Sequence, residues 1–157
     1  IGRAGATAVY ECARAVRTLN NNMVTIADGG LRTSGDIYKA LALGANTVML
    51  GSMLAGHEEC PGDVVHDDKG RPMKEYWGMG SKRANVGGEE RVRDYGSHEE
   101  GIVTRVPDKG RLHASFAPVL DALRHAFEVG NFRDISELHD GVNNGAYRLG
   151  RRSVLLD

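Results

Sequence analysis

The sequence predicts an α/β fold built of parallel βα units. Three observations carry this. A helix-period apolar stripe is followed by a short apolar run that closes on Asp28-Gly29-Gly30. A second helix and a second apolar run then close on Gly51-Ser52. Both runs end in small residues, and the carboxyl ends of the strands are where ligands bind in barrels and open α/β sheets alike.

Each element follows from local pattern. Val9, Cys12, Ala13 and Val16 fall at i, i+3, i+4 and i+7, so Thr7 to Leu19 reads as a helix with an apolar stripe. Met23 to Ala27 is short, apolar and partly β-branched, which predicts a buried strand. Ser34 is the expected N-cap of a helix over Gly35 to Leu43, and Gly44 is its stop. Thr47 to Leu50 predicts a second buried strand, and Met53 to His57 the start of a short helix. Pro61-Gly62 and Asp67-Asp68-Lys69-Gly70 predict a hairpin or excursion within 61–75. Residues 80–101 are Gly-rich and charged without apolar period, as a disordered stretch or a functional flap would be. Pro118 to Val129 reads as a helix with Val119, Leu120, Leu123, Ala126 and Phe127 on one face and Gly130 at its end. A helical turn is expected at Ile135 to Leu138. Residues 140–157 read as irregular, then strand-like at Ser153 to Leu156.

Composition bounds the function classes. With 157 residues the chain can bury one core but falls short of the ~250 of a complete eight-fold barrel. A net charge of -1 gives no reason to expect nucleic acid or a membrane as partner. No apolar run approaches the ~20 residues that span a bilayer. Two cysteines make no disulfide framework, so a reducing, cytoplasmic location is expected. The beginning, Ile1-Gly2-Arg3-Ala4-Gly5, has neither initiator Met nor signal-peptide character, and a fragment or processed chain is expected.

Three constellations are compatible with a phosphorylated ligand. Asp28 at a strand end offers a carboxylate to a sugar diol, and Gly29 and Gly30 let backbone amides approach a phosphate. The plainer alternative is a strand-to-helix turn. Gly51-Ser52 offers amides and a hydroxyl at an expected helix start, or simply an N-cap. Together they favour phosphate, because barrels bind it in the last two βα loops. In Tyr76-Trp77-Gly78-Met79-Gly80-Ser81 the phenol can donate to phosphate and the glycines expose backbone to a flat base, the plainer alternative being an aromatic core contact followed by a flexible turn. The flap, with Arg91, Arg93, Asp94, Tyr95, His98, Glu99 and Glu100, is either solvated surface or a closing loop. Cys12 is expected to be an inert core residue, Cys60 has no obvious base, and His57 and His66 lack metal-ligand spacing.

These residues resemble the family of inosine-monophosphate dehydrogenase and guanosine-monophosphate reductase. Ala6-Thr7-Ala8-Val9-Tyr10 looks like the helix after the family's catalytic loop. Ile26-Ala27-Asp28-Gly29-Gly30, Ser34-Gly35-Asp36-Ile37, Lys39-Ala40-Leu41, Gly44-Ala45 and Val48-Met49-Leu50-Gly51-Ser52 follow its seventh and eighth βα units. Tyr76, Gly78-Met79-Gly80-Ser81, Glu100-Gly101 and Val106-Pro107-Asp108-Lys109-Gly110 follow its flap and the return from it. The match runs to about residue 130. Its Tyr-x-Gly-Met-Gly-Ser element is the specific part, since the Asp-Gly-Gly unit also occurs in flavin-dependent barrels.

The resemblance implies that residues 1–157 are the C-terminal part of one (β/α)8 (TIM) barrel, with a flap at about 80–101 and an irregular tail, the N-terminal part of the barrel lying elsewhere. It implies Asp28 on the ribose diol, Gly29 beside it, and Gly30, Gly51, Ser52 and Tyr76 on the 5′-phosphate. Gly78, Met79, Gly80 and Glu100 would face the hypoxanthine. The family's flap Arg-Tyr pair carries over to Arg93 and Tyr95, although Asp94 separates them here. Its nucleophilic Cys belongs to the loop before Ile1, and neither Cys12 nor Cys60 matches it. The family's potassium-binding Glu-Gly-Gly is replaced by Asn143-Asn144-Gly145, whose backbone carbonyls would serve instead. NAD is the implied cofactor, IMP, XMP or GMP the nucleotide, and a homotetramer the assembly. The reductase carries a Glu after its Gly-Met-x-Ser element where this chain has Lys82, so NAD-dependent oxidation of IMP to XMP is expected ahead of NADPH-dependent deamination of GMP. An FMN-dependent barrel oxidoreductase is the further alternative.

Overall fold

The computed structural model describes residues 2–19, 22–78, 81 and 103–150. Its elements, in chain order, are α1 (Gly5–Leu19), β1 (Ile26–Asp28), α2 (Ser34–Ala42), β2 (Thr47–Met49), β3 (Val64–His66), β4 (Pro72–Trp77), β5 (Val103–Pro107), α3 (Leu112–Gly130) and α4 (Ile135–Asn143). They fall into two compact units, one of residues 1–53 with 117–157, the other of residues 54–116.

The first unit is the predicted α/β part. β1 and β2 pair in parallel, Ile26 with Thr47, Ala27 with Val48 and Asp28 with Met49. A parallel pair needs a crossover, and α2 supplies it. α2 forms where expected but is capped one residue earlier than the sequence predicts. Thr33, not Ser34, is the N-cap, because Asp36 stands three residues after it and closes a reciprocal capping box. Gly44 ends the helix at φ 107°; a Cβ there would lie 2.7 Å from the Cβ of Ala13 on α1. Small residues let these layers approach: Ala27, Ala40 and Ala45 form one buried cluster with Val9, Leu31 and Val48 against it.

The main core of this unit joins α2 to α4 and α3. Ile37, Leu41, Ala42 and Leu138 are buried, with Val119, Leu123, Phe127 and Phe132 packed on them. Tyr38 and Phe127 meet edge to face at 5.5 Å, as ring quadrupoles favour. His139 Nε2 lies 2.9 Å from the Leu41 carbonyl, which ties α4 to the end of α2.

Several expectations are corrected. Met23 and Val24 are exposed and outside the strand, so β1 is shorter than Met23–Ala27 and carries Asp28 instead. Cys12 is exposed on α1, not a core residue; Ala13 takes the buried position. α3 starts at Leu112 rather than Pro118, because the Glu59 carboxylate accepts the Leu112 amide and caps the helix from 53 residues away. α4 extends to Asn143, so 140–143 are helical and not irregular; its N-cap Asp134 accepts the Glu137 amide. The strand expected at 153–156 lies outside the described residues.

The second unit is an antiparallel sheet in the order β3-β4-β5. The expected hairpin is there, closed by Asp67, whose carboxylate accepts the amides of Lys69 and Arg71. β5, which the sequence analysis did not single out as a strand, pairs Val103 with Trp77 and Pro107 with Met73. The helix expected at Met53 to His57 is absent: the chain turns instead, and Gly56 takes φ 87° against the Pro107 carbonyl.

Candidate functional site

Parallel pairing places two of the predicted phosphate turns at the same end of one sheet. Asp28 opposes Met49 in the register, so Asp28-Gly29-Gly30 and Gly51-Ser52 both leave its carboxyl end. Gly29 and Gly30 adopt φ 89° and 78°, where L side chains are strained, and among the described residues no atom beyond their chain neighbours lies within 4 Å of where their Cβ atoms would stand. Open space in front of a left-handed backbone is what a close ligand approach requires.

The neighbouring amides are arranged unequally. Arg32 and Thr33 donate theirs to the Asp36 carboxylate, at 3.2 and 3.1 Å. The Lys39 ammonium at 2.8 Å, followed by the Thr33 hydroxyl, holds the Asp36 carboxyl down at about 2. The start of α2 is therefore already neutralised by its own carboxylate. The amides of Gly30 and Leu31, just before it, are not the ones that carboxylate takes.

Asp28, Gly29 and Gly30 also line a cavity of about 900 Å³. Its other walls are the α1 residues Gly5 to Tyr10 with Cys12, the approach to β1 from Thr25, and Lys39 and Ala40 of α2. The volume is within the range of small-molecule sites. Gly51 and Ser52 are not part of its lining. The missing helix at Met53 removes a helix terminus from the predicted anion site.

The remaining site residues fall elsewhere. Tyr76 is half-buried on β4, in the second unit, and Gly78 follows the strand. Ser81 is fully buried and donates its amide to the Gly78 carbonyl at 3.0 Å. Met79, Gly80, Arg93, Tyr95 and Glu100 lie outside the described residues, as does the flap apart from Ser81. Asn143, Asn144 and Gly145 form the end of α4. Asn144 Oδ1 accepts the Ala146 amide, and Gly145 takes φ 79°. A helix C-terminus leaves its last carbonyl oxygens without intrahelical partners. Among the described residues, no three His, Cys, Asp or Glu side chains gather to hold a metal, and no helix is long and apolar enough to cross a membrane.

One feature of the second unit gave no sequence signal. The turn 54–60 is bonded to three neighbours. Lys74, only 4% exposed, donates to the carbonyls of His57, Glu58 and Cys60 at 2.8, 3.3 and 2.7 Å. Gly56 accepts the Lys109 amide, and Glu58 donates its amide to Gly110, both at 2.9 Å. His57 is buried, with Nδ1 on the Leu54 carbonyl and Nε2 on the Ser115 hydroxyl of α3. A lysine between Met73 and Glu75 reads as solvated, and only the fold shows it buried.

Comparison with known proteins joins these observations. The IMP dehydrogenase / GMP reductase domain family matches residues 1–150. The inosine-5'-monophosphate dehydrogenase of Aquifex aeolicus is 42% identical over 141 residues, covering 85% of this chain and 28% of that protein. That of Vigna unguiculata is 37% identical over 158 residues, 98% of this chain and 31% of that protein. The GMP reductase of Mycobacterium tuberculosis is 38% identical over 159 residues, 93% of this chain and 33% of that protein. The chain thus spans roughly a third of the length of these curated relatives. With the strand order, the glycine turns and the Tyr76-x-Gly78-Met79-Gly80-Ser81 element all carried on the matched residues, the chain belongs to the IMP dehydrogenase / GMP reductase family.

Proposed function

We propose that this chain is the C-terminal part of a (β/α)8 barrel, with β1 and β2 as its seventh and eighth strands, and that the enzyme it belongs to oxidises IMP to XMP. Two features support the barrel. Among the described residues the parallel sheet has two strands with both outer edges unpaired, and parallel sheets are covered in folded proteins. The cavity that follows Thr25 to Asp28 between α1 and α2 has room for further structure beside β1.

The observation that carries the functional reading is the pair of turns at one sheet end, Asp28-Gly29-Gly30 and Gly51-Ser52. Asp28 accepts from the ribose diol. The amides near Gly30 and Gly51 and the hydroxyls of Ser52 and Tyr76 receive the 5′-phosphate. Gly78, Met79, Gly80 and Glu100 face the base, and Arg93 and Tyr95 of the flap at about 80–101 activate water. Cys60 donates its thiol to the Leu54 carbonyl at 2.9 Å and Cys12 lies on α1, so neither is assigned as the thiolate the family uses. NAD is the second substrate, taking the hydride from C2 of the base; no described residue is assigned to it. A potassium ion at the carbonyls of Asn143, Asn144 and Gly145 would steady that turn. A homotetramer in the cytoplasm is the assembly and location that go with this reading.

GMP reduction is the second reading, favoured by 38% identity to a GMP reductase over 93% of the chain. The complete enzyme decides between them. IMP with NAD should yield XMP and NADH, whereas GMP with NADPH should be inert. NADPH oxidation with ammonia release from GMP would reverse the choice.

A further inference from the structure

The turn 54–60 and Lys74 are absorbed by nothing proposed so far. Lysine is almost never fully buried unless paired. The partners of Lys74 here are three main-chain oxygens, those of His57, Glu58 and Cys60, at 2.7 to 3.3 Å. An ammonium has three donors, and each finds an acceptor. Three carbonyl dipoles converging on one point repel each other unless a positive charge sits there. The arrangement is that of a monovalent cation cage whose cation is covalently attached to β4.

The position of the cage matters. Lys74 and Tyr76 are two apart on β4, so they share a face of the strand. The same turn is bonded to β4 and to the residues just after β5, the two strands on either side of residues 78–102. It grips β4 through Lys74, whose ammonium its carbonyls accept. It grips the end of β5 through Gly56, which accepts the Lys109 amide at 2.9 Å. In sequence the turn begins two residues after Ser52.

We infer that Lys74 is a positioning residue for phosphate recognition: its buried ammonium acts as a built-in cation that fixes turn 54–60 and, through it, the strand that presents Tyr76. This rests on the reading above in which Tyr76 contacts the phosphate. Lys74 does not touch the nucleotide. Its loss is felt by the phosphate and not by the nucleoside.

The test uses Lys74→Ala in the complete enzyme. The substitution removes Cγ, Cδ, Cε and Nζ, the four heavy atoms of propylammonium, so that cation is the rescue probe. Binding of IMP and of inosine is measured for wild type and variant, with propylammonium or with tetramethylammonium at equal ionic strength; the latter has no N–H donor. Lys74→Ala should weaken IMP about tenfold or more, in line with loss of a charge-assisted hydrogen-bond set. Inosine should change less than about twofold, inside the factor expected when no such bond is lost. Propylammonium should restore IMP affinity saturably and raise the variant's Tm, and tetramethylammonium should do neither. Unchanged IMP affinity, or equal loss for IMP and inosine, overturns the inference. If Lys74→Ala does not fold, Lys74→Arg, whose planar fork cannot satisfy three converging carbonyls, should show the same IMP-selective loss. Failure of the functional reading looks different: wild type would not bind IMP, while the propylammonium-specific rise in Tm would still report the cage.

Discussion

Replacing Gly56 with alanine would put a methyl carbon 2.4 Å from the Pro107 carbonyl oxygen and 3.2 Å from Val106 Cγ2. Neither neighbour yields easily. Pro107 is held in β5 by its pairing with Met73, and the oxygen is main chain. Gly56 also sits at φ 87°, where an L side chain is strained. The backbone strain costs about 1–2 kcal/mol, and forcing a methyl into a filled space costs a further ~1–3 kcal/mol. The control is Gly70→Ala. Gly70 has φ 73° but nothing within 4 Å of its would-be Cβ, so only the strain applies. Urea unfolding of the complete enzyme should therefore show Gly56→Ala losing ~1–3 kcal/mol more than Gly70→Ala, a large share of a ~5–15 kcal/mol total. Equal losses at the two positions would refute the close approach of turn 54–60 to β5.

Two further predictions concern the first unit. The Thr25 hydroxyl is buried without a hydrogen-bond partner among the described residues, so Thr25→Val should be neutral or stabilising by up to about 1 kcal/mol in thermal melts. Asp36→Ala removes the N3 half of the capping box and the negative charge at the start of α2, and should cost about 0.3–1 kcal/mol at neutral pH. The Asp36 pKa is lowered on folding, from 3.8 to about 2, so its contribution is complete above 3.8 and is lost as pH falls towards 2. Acid titration should thus bring wild type and Asp36→Ala together below that window, and a constant gap would contradict the ion-paired cap.

What could be read from the sequence was whatever local chemistry decides. Gly44 had to end α2, and Asp67 to Gly70 had to turn, because those residues carry the conformations required. The parallel pairing followed from the helix between two short apolar runs. One miss was local: Thr33 and Ser34 both look like caps, and the acidic Asp36 three residues after Thr33 decides between them. The others depended on distant partners. The start of α3 is set by Glu59, far away in sequence, and Pro118 inside the helix misled because proline more often marks a first turn. Apolar Met53-Leu54-Ala55 reads as the start of a helix, yet the residues that would continue it, Gly56 to Cys60, are bonded instead to Lys74, Lys109 and Gly110. Of the site, the glycine turns were legible, and the buried ammonium two residues before Tyr76 was not.

The absent helix bears on Ser52 itself. Its plainer reading in the sequence was a helix cap, and no helix begins there to be capped. The turn after β2 instead leaves the same sheet end as Asp28-Gly29-Gly30. If Ser52 donates to the nucleotide phosphate, the bond is to a charged acceptor and contributes roughly 1.5–3 kcal/mol. Ser52→Ala in the complete enzyme should then raise the dissociation constant of IMP about ten- to hundredfold, since each ~1.4 kcal/mol is a factor of ten. Inosine, which has no phosphate, should bind wild type and variant alike. Gly30→Val should be worse than Ser52→Ala for IMP, because it adds backbone strain at φ 78° and fills the open space before Gly30. Calorimetric titration with both ligands separates the cases. Should IMP and inosine weaken together, Ser52 holds the turn rather than the phosphate, and the anion site must be sought among the backbone amides of Gly30 and Leu31 alone.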